Sequence, residues 1–199
     1  MRTQGFTLIE LAVVLAIISV LAAVLTPVVI GYVDQARVVR ATADVKTLAD
    51  AVRLFQRDTG RWPIYTSLSN ANSDTAAADM LIGTGSSATL GSTWSSLTTT
   101  ADLFTHLNTN TLGISTGAQV GNAIGRVAYR GPYLGTLEAD PWGNRYIVAA
   151  KNLKTSGATS SYWAFVISAG QNGTMDTSPT QANTTAFAVS GDDVVALIK

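Results

Sequence analysis

Residues 6–30, FTLIELAVVLAIISVLAAVLTPVVI, constrain what this chain can fold into more than any other stretch. Twenty of these 25 residues are apolar, and Glu10 is the only charge among them. A helix of that length rises about 1.5 Å per residue and can cross a hydrocarbon core of about 30 Å. Membrane insertion is therefore the first expectation. An ordinary secretory signal peptide is the alternative, with Arg2 as its positive n-region and Val20-Leu21-Ala22 as a loose cleavage site. Against that reading, the run exceeds a normal signal-peptide core and carries a carboxylate near its start.

The rest of the composition excludes several classes. Of 199 residues, 13 are basic, 13 acidic, one is His and none is Cys, which removes disulfide frameworks and thiolate metal sites. A net charge of zero provides no clustered basic footprint for a nucleic-acid backbone, so no nucleic-acid partner is expected.

Glu10 needs a partner, because an ionisable group within an apolar span costs about 2.5–3.5 kcal/mol on insertion scales unless it is paired. No Lys, Arg or His lies between Arg2 and Arg37 to serve it in cis. Cutting the chain just before Phe6 would create a partner: a new α-amino group, positive at neutral pH, presented by a neighbouring copy. Such a pair would set the axial register of one subunit against the next, and removing either half would leave a charge unpaired.

Gly5-Phe6-Thr7-Leu8-Ile9-Glu10, followed directly by the apolar run, resembles the processing motif of type IV pilins and of the pseudopilins of type II secretion systems. The resemblance implies cleavage by a prepilin peptidase after Gly5, N-methylation of Phe6, and a register role for Glu10. Pro27 removes a backbone donor and should kink or loosen the helix. It matches the helix-loosening Pro of the family, although Ser19 stands near where a Gly is usual. The implied organisation is a leader over residues 1–5, a membrane-spanning and filament-core helix over 6–33, and a periplasmic or extracellular domain over 34–199. The implied fold is α+β, a long N-terminal helix packed on a small antiparallel sheet.

Beyond the membrane segment, Val38, Ala41, Val45, Leu48, Val52 and Phe55 recur in steps of three and four, one face of an amphipathic helix. Continued from Phe6 to about Asp58, the helix would measure about 80 Å. Gly60 suits its C-cap, and Pro63 prevents it from resuming. Packing on the protein's own sheet is the preferred use of this stripe, with a coiled-coil seam as the alternative.

Residues 64–125 form a Ser/Thr-rich insertion without Lys, Arg or Glu and with three Asp. Such a polar, uncharged stretch suits an ordered, solvated surface. Two short helices are expected within it, over residues 73–82 and 99–107. The single histidine, His106, has no second His or Cys for a metal site and reads as a surface or interface residue.

Residues 126–129, 146–150 and 162–168 read as strands of an antiparallel sheet. Asp140-Pro141-Trp142-Gly143-Asn144 is a turn. Together with Tyr133-Leu134, with Arg145-Tyr146 and with Asp58-Thr59-Gly60-Arg61-Trp62-Pro63, it resembles segments typical of the major pseudopilin. Ser168-Ala169-Gly170-Gln171-Asn172-Gly173, then Asp176, Asp192 and Asp193, resembles the family's calcium loop. The resemblance implies Ca²⁺ held by Asp192, Asp193, Asp176 and Ser168, although Asn172 stands where an Asp is common. Hard oxygen donors of this kind suit Ca²⁺. On residues alone, these acids could equally be turn caps.

The function expected is structural and not enzymatic: a subunit stored as a single-pass inner-membrane protein with a cytoplasmic N-terminus, then stacked with copies of itself into a filament. Its expected partners are the prepilin peptidase, an inner-membrane assembly platform and minor pseudopilins. A type IV pilin for adhesion, twitching motility or DNA uptake is the alternative. An anchored hydrolase lacks a G-x-S-x-G nucleophile motif. A sugar-binding adhesin would use Trp62, Trp94 or Trp163 as stacking platforms.

Overall fold

One α-helix, α1, spans Leu8–Thr59 without interruption at Pro27 in the computed structural model, which describes residues 5–64, 78–109, 129–154 and 161–199. It ends where expected: Gly60 adopts φ 72°, and its N–H donates to the Gln56 carbonyl at 2.8 Å. A positive φ at that position costs an L-residue energy that glycine avoids. The chain divides into two compact units, one ending at Val39 and the other spanning Arg40–Lys199.

In the first unit the large apolar side chains from Phe6 to Val33 are all exposed. The Ser19 and Thr26 hydroxyls donate to the carbonyls of Leu15 and Ala22, each at 2.7 Å. Polar groups satisfied within their own helix are what a hydrocarbon environment demands. This helix is long and apolar enough to cross a membrane.

In the second unit, Ala41, Val45, Leu48, Val52 and Phe55 of α1 are buried, and Ala49 and Ala51 join them. The stripe therefore packs on the protein's own domain from Ala41 onwards, while Val38, in the first unit, is exposed. Among the described residues, seven short strands accompany it: β1 (Met80–Ile82), β2 (Thr89–Leu90), β3 (Thr100–Asp102), β4 (Ile147–Val148), β5 (Phe165–Ser168), β6 (Thr174–Met175) and β7 (Val194–Leu197). Five of them form a sheet in the order β3-β1-β4-β5-β7, and β2 pairs with β6 separately.

The fold is α+β as expected, but the sheet is mixed, not purely antiparallel: β1 and β3 run parallel, as do β2 and β6. The stretch joining β1 to β3 is long enough for the crossover that parallel neighbours require. Two further expectations are corrected here. Residues 80–82 and 100–102 are strands, not parts of helices; of the helix expected over 99–107, residues 103–107 are helical, within a short helical stretch over 103–109 whose Thr105–Thr109 part is a π-helix. Weak helical periodicity yields to tertiary burial, because Leu81 has a place in the sheet interior that a short surface helix could not offer. Residues 73–77 lie outside the described residues, as do 126–128 of the strand expected at 126–129. Tyr162 makes only an isolated bridge with Ala182.

Period-two alternation distributes side chains to both faces of the sheet. Val148 and Val166 join Val45, Val52 and Phe55 in one core cluster. Ile147, Phe165 and Ile167 join Trp94 and Met175 in a second. The Ser/Thr-rich segment thus contributes three strands, β1 and β3 to the larger sheet and β2 to the smaller, and the buried Trp94 that covers the second face.

The helix is also fastened by polar and aromatic contacts. Phe55 meets Tyr129 and Tyr133 edge-on, with ring centroids 6.2 and 5.9 Å away. The Tyr146 hydroxyl donates to Asp44 at 2.9 Å and the Tyr133 hydroxyl to Asp58 at 3.1 Å. Burial, and then the bond to Asp44, pushes the Tyr146 hydroxyl well above the usual phenol range. Arg53 donates to the carbonyls of Leu197 and Ile198 at 2.8 and 3.1 Å, along the edge strand β7.

Phe55 is fully buried where α1, Tyr129 and Tyr133 converge. Phe55→Ala should lower unfolding stability by about 3–5 kcal/mol, read as a fall in the denaturant midpoint at unchanged slope.

Candidate functional site

Two regions carry the residues singled out in the sequence. At the head of α1, Glu10 is exposed and is held locally by Thr7. The Thr7 backbone N–H and hydroxyl each donate to the Glu10 carboxylate at 2.9 Å, and the Glu10 N–H returns a bond to the Thr7 hydroxyl at 3.3 Å. This reciprocal pair is a capping box, which satisfies orphan donors at a helix start. Its T-x-x-E signature is plain in the sequence, yet a search for cationic partners overlooks it. Gly5 and Phe6 lie just ahead of the helix; Gly5 has open space around it and Phe6 is exposed.

The second region joins the turn at residues 140–144 to the loop after β5. Asp140 is buried and organises the turn. One carboxylate oxygen accepts from the N–H groups of Trp142 and Asn144 at 3.0 and 2.7 Å, and the other from the Ser168 hydroxyl at 2.7 Å. Ser168 is thus brought next to the loop acids in sequence, but its hydroxyl is engaged by Asp140. Its own residues mark 140–144 as a turn, but its tie to the end of β5 is a long-range contact without a local signal.

In the loop, Asp193 is buried and one of its oxygens accepts from the N–H groups of Asp176 and Thr177 at 2.9 and 2.6 Å. Its other oxygen, Oδ1, is buried without a hydrogen-bond partner. Burial pushes the Asp193 carboxyl above its ordinary value of 3.8, against the pull of the donors from Thr177 and Asp176. Asp176 accepts from the Asn172 side-chain amide at 3.0 Å, and Asp192 from the Asn172 N–H at 2.8 Å. Gly170 and Gly191, at φ 62° and 66°, permit the close approach: a Cβ on the first would strike Asp192 and on the second Asp176. All three candidate acids are therefore linked through one loop junction. Among the described residues, no three His, Cys, Asp or Glu side chains group closely enough to hold a metal by themselves. A cation here would draw on Asp193 Oδ1, the unpaired oxygen, with further oxygen donors such as main-chain carbonyls and water.

Two side chains sit elsewhere than expected. His106 is fully buried, with Nδ1 at 2.7 Å from the Asp102 carbonyl, and is not a surface histidine. Trp94 is also fully buried and donates to the Thr177 carbonyl at 2.7 Å, which removes it as a stacking platform for sugars.

Residues 1–26 match the prokaryotic N-terminal methylation motif. The type II secretion system core protein G of Pseudomonas aeruginosa is 42% identical over 62 residues, 31% of this chain and 44% of that protein. Over this stretch the chain is similar to a type II secretion pseudopilin. Core protein G of Pectobacterium carotovorum is 36% identical over 62 residues, 31% of this chain and 40% of its own length. The type IV major pilin protein PilE1 of Neisseria gonorrhoeae is 40% identical over 60 residues, 30% of this chain and 36% of that pilin. The chain thus spans less than half the length of these relatives. No solved structure matches it at a significant level.

The position of Asp193 predicts a pH dependence. A carboxyl raised in the folded state binds its proton more tightly there than in the unfolded chain. Its contribution is fully present below the ordinary value of 3.8 and is lost as pH rises through the folded value. In calcium-free buffer, wild-type stability relative to Asp193→Asn should fall across that window, as followed by denaturant titration at a series of pH values.

Proposed function

We propose that this chain is the major pseudopilin of a type II secretion system, a structural subunit of a helical filament that drives protein export. The observation that carries the reading is the Thr7–Glu10 pair at the head of an exposed apolar helix. Prepilin peptidase cleaves after Gly5 and Phe6 is N-methylated. Thr7 stays on the mature chain, so its two donors continue to hold Glu10 while the subunit waits in the inner membrane. The new amine at Phe6 of an adjacent copy then supplies the opposite charge, and Glu10 sets the register. A contact of this head-to-tail kind builds an open fibre. The N-terminus begins on the cytoplasmic side, and the domain after residue 33 is periplasmic before assembly. Minor pseudopilins and an inner-membrane assembly platform are the partners of this process.

A type IV pilin is the second reading, favoured by the similarity to PilE1 over 60 residues. Both readings share the same subunit chemistry. Glu10→Ala should be processed to a Phe6 N-terminus, read by mass spectrometry, yet should yield no filaments by electron microscopy. Normal filaments from this variant as the sole subunit would defeat the register role in both readings.

We also propose that the loop after β5 binds Ca²⁺ through Asp176, Asp192 and Asp193, with Ser168 at the base of the loop. The unpaired, desolvated Asp193 Oδ1 supports this reading, since a cation would supply the missing positive charge. Bound to the folded state alone, calcium raises stability by mass action. The full-length protein in detergent should therefore melt at a lower temperature in EGTA than in calcium chloride, and Asp193→Asn should abolish the difference. Identical melting of the wild type under both conditions would show the acids to be turn caps only.

A further inference from the structure

The loop after β5 contains the chain's single Asn-Gly step, Asn172-Gly173, and its surroundings match the requirements of a self-modifying bond. Closure of a succinimide needs the Gly173 amide nitrogen to reach Asn172 Cγ. Gly173 offers no side chain to obstruct it, and its N–H donates to no group among the described residues. The Thr174 N–H donates to Asn172 Oδ1 at 2.6 Å, so a fixed dipole faces the oxygen on which negative charge develops as the ring closes. Asn172 itself is exposed, and water has access to the bond.

We infer that Asn172 is a site of spontaneous deamidation, which delivers a new carboxylate into the cluster formed by Asp176 and Asp192. The deprotonated Gly173 nitrogen attacks Asn172 Cγ. The new C–N bond forms as the Cγ–Nδ2 bond breaks, and the amide nitrogen leaves as ammonia with the proton. Water then opens the ring at either carbonyl, leaving aspartate or isoaspartate. The net change is uptake of one water and loss of one ammonia, without any redox step.

The product reverses the local electrostatics. At present the Asn172 amide donates to Asp176 at 3.0 Å. After the reaction that donor is gone and two carboxylates face each other across the same gap. Like charges at such range disfavour joint ionisation unless they separate or share a cation. The modification therefore replaces the Asn172–Asp176 hydrogen bond by a like-charge contact that a divalent ion relieves. Deamidation itself rests on neither the filament reading nor the calcium reading.

The test uses full-length protein in detergent, aged at mildly alkaline pH and mapped by peptide mass spectrometry. The peptide carrying Asn172 should acquire the mass shift of an amide-to-acid exchange before any other Asn-containing peptide. Asn172→Gln, whose longer side chain closes the ring far more slowly, should stay unshifted over the same period. Earlier modification at another Asn, or an intact Asn172 in fully aged protein, overturns the assignment. In a second arm, Asn172→Asp should melt below the wild type in EGTA and recover in calcium chloride. Equal melting of the two proteins in EGTA overturns the electrostatic consequence.

Discussion

Burial of the α1 face that runs from Ala41 to Phe55 is the constraint on which the rest of the domain depends. The strands are two to four residues long, and such short ladders hold together only when a hydrophobic face is covered. Val45, Val52 and Phe55 cover one face, while Trp94, Met175 and Phe187 lie against the other. The same helix presents unbroken apolar surface in the unit that ends at Val39. One continuous element thus carries two chemistries: an amphipathic stripe for a protein core, and all-round apolarity for lipid or for other helices.

The turn at 140–144 and the loop after β5 form a single polar system. Asp140 holds its own turn and, through Ser168, the end of β5, from which the loop departs. At the far end, Asp193 receives the backbone of residues 176 and 177 just before β7 begins. Each acid orders several backbone N–H groups, replacing at low entropic cost the disulfide that a chain without cysteine cannot make. The Asp193 oxygen left over at this junction and Trp142 Nε1 in the turn are the buried side-chain polar atoms without a hydrogen-bond partner among the described residues.

Features that depend on near neighbours were legible in the sequence. The helix, its end at Gly60 and the stripe from Ala41 to Phe55 follow from periodicity and capping, which act over a few residues. The turn at Asp140 was legible for the same reason. Less was visible in the Ser/Thr-rich segment, where Leu81 and Leu103 are apolar points in a polar stretch and no pattern says what they pack against. The strand of Leu81 and the one that ends just before Leu103 pair because β4 offers an edge to β1, and β1 then offers one to β3. His106 and Trp94 were misplaced on the surface for a related reason: their burial depends on Asp102 and Thr177 as hydrogen-bond partners, and Thr177 is far away in sequence. The candidate site was legible as a list of acids, but the division of their donors, and the orphan oxygen that results, arises only from the three-dimensional arrangement.

Arg53 has a consequence for a protein whose proposed work is self-association. The last strand of a sheet displays unpaired amides and carbonyls, a template on which any other extended chain can add itself. By occupying the carbonyls of Leu197 and Ile198, the guanidinium blunts that template at its C-terminal end. Strand-by-strand accretion is thereby discouraged at the margin of the domain, so a polymer built on helices is spared competition from an amyloid-like one.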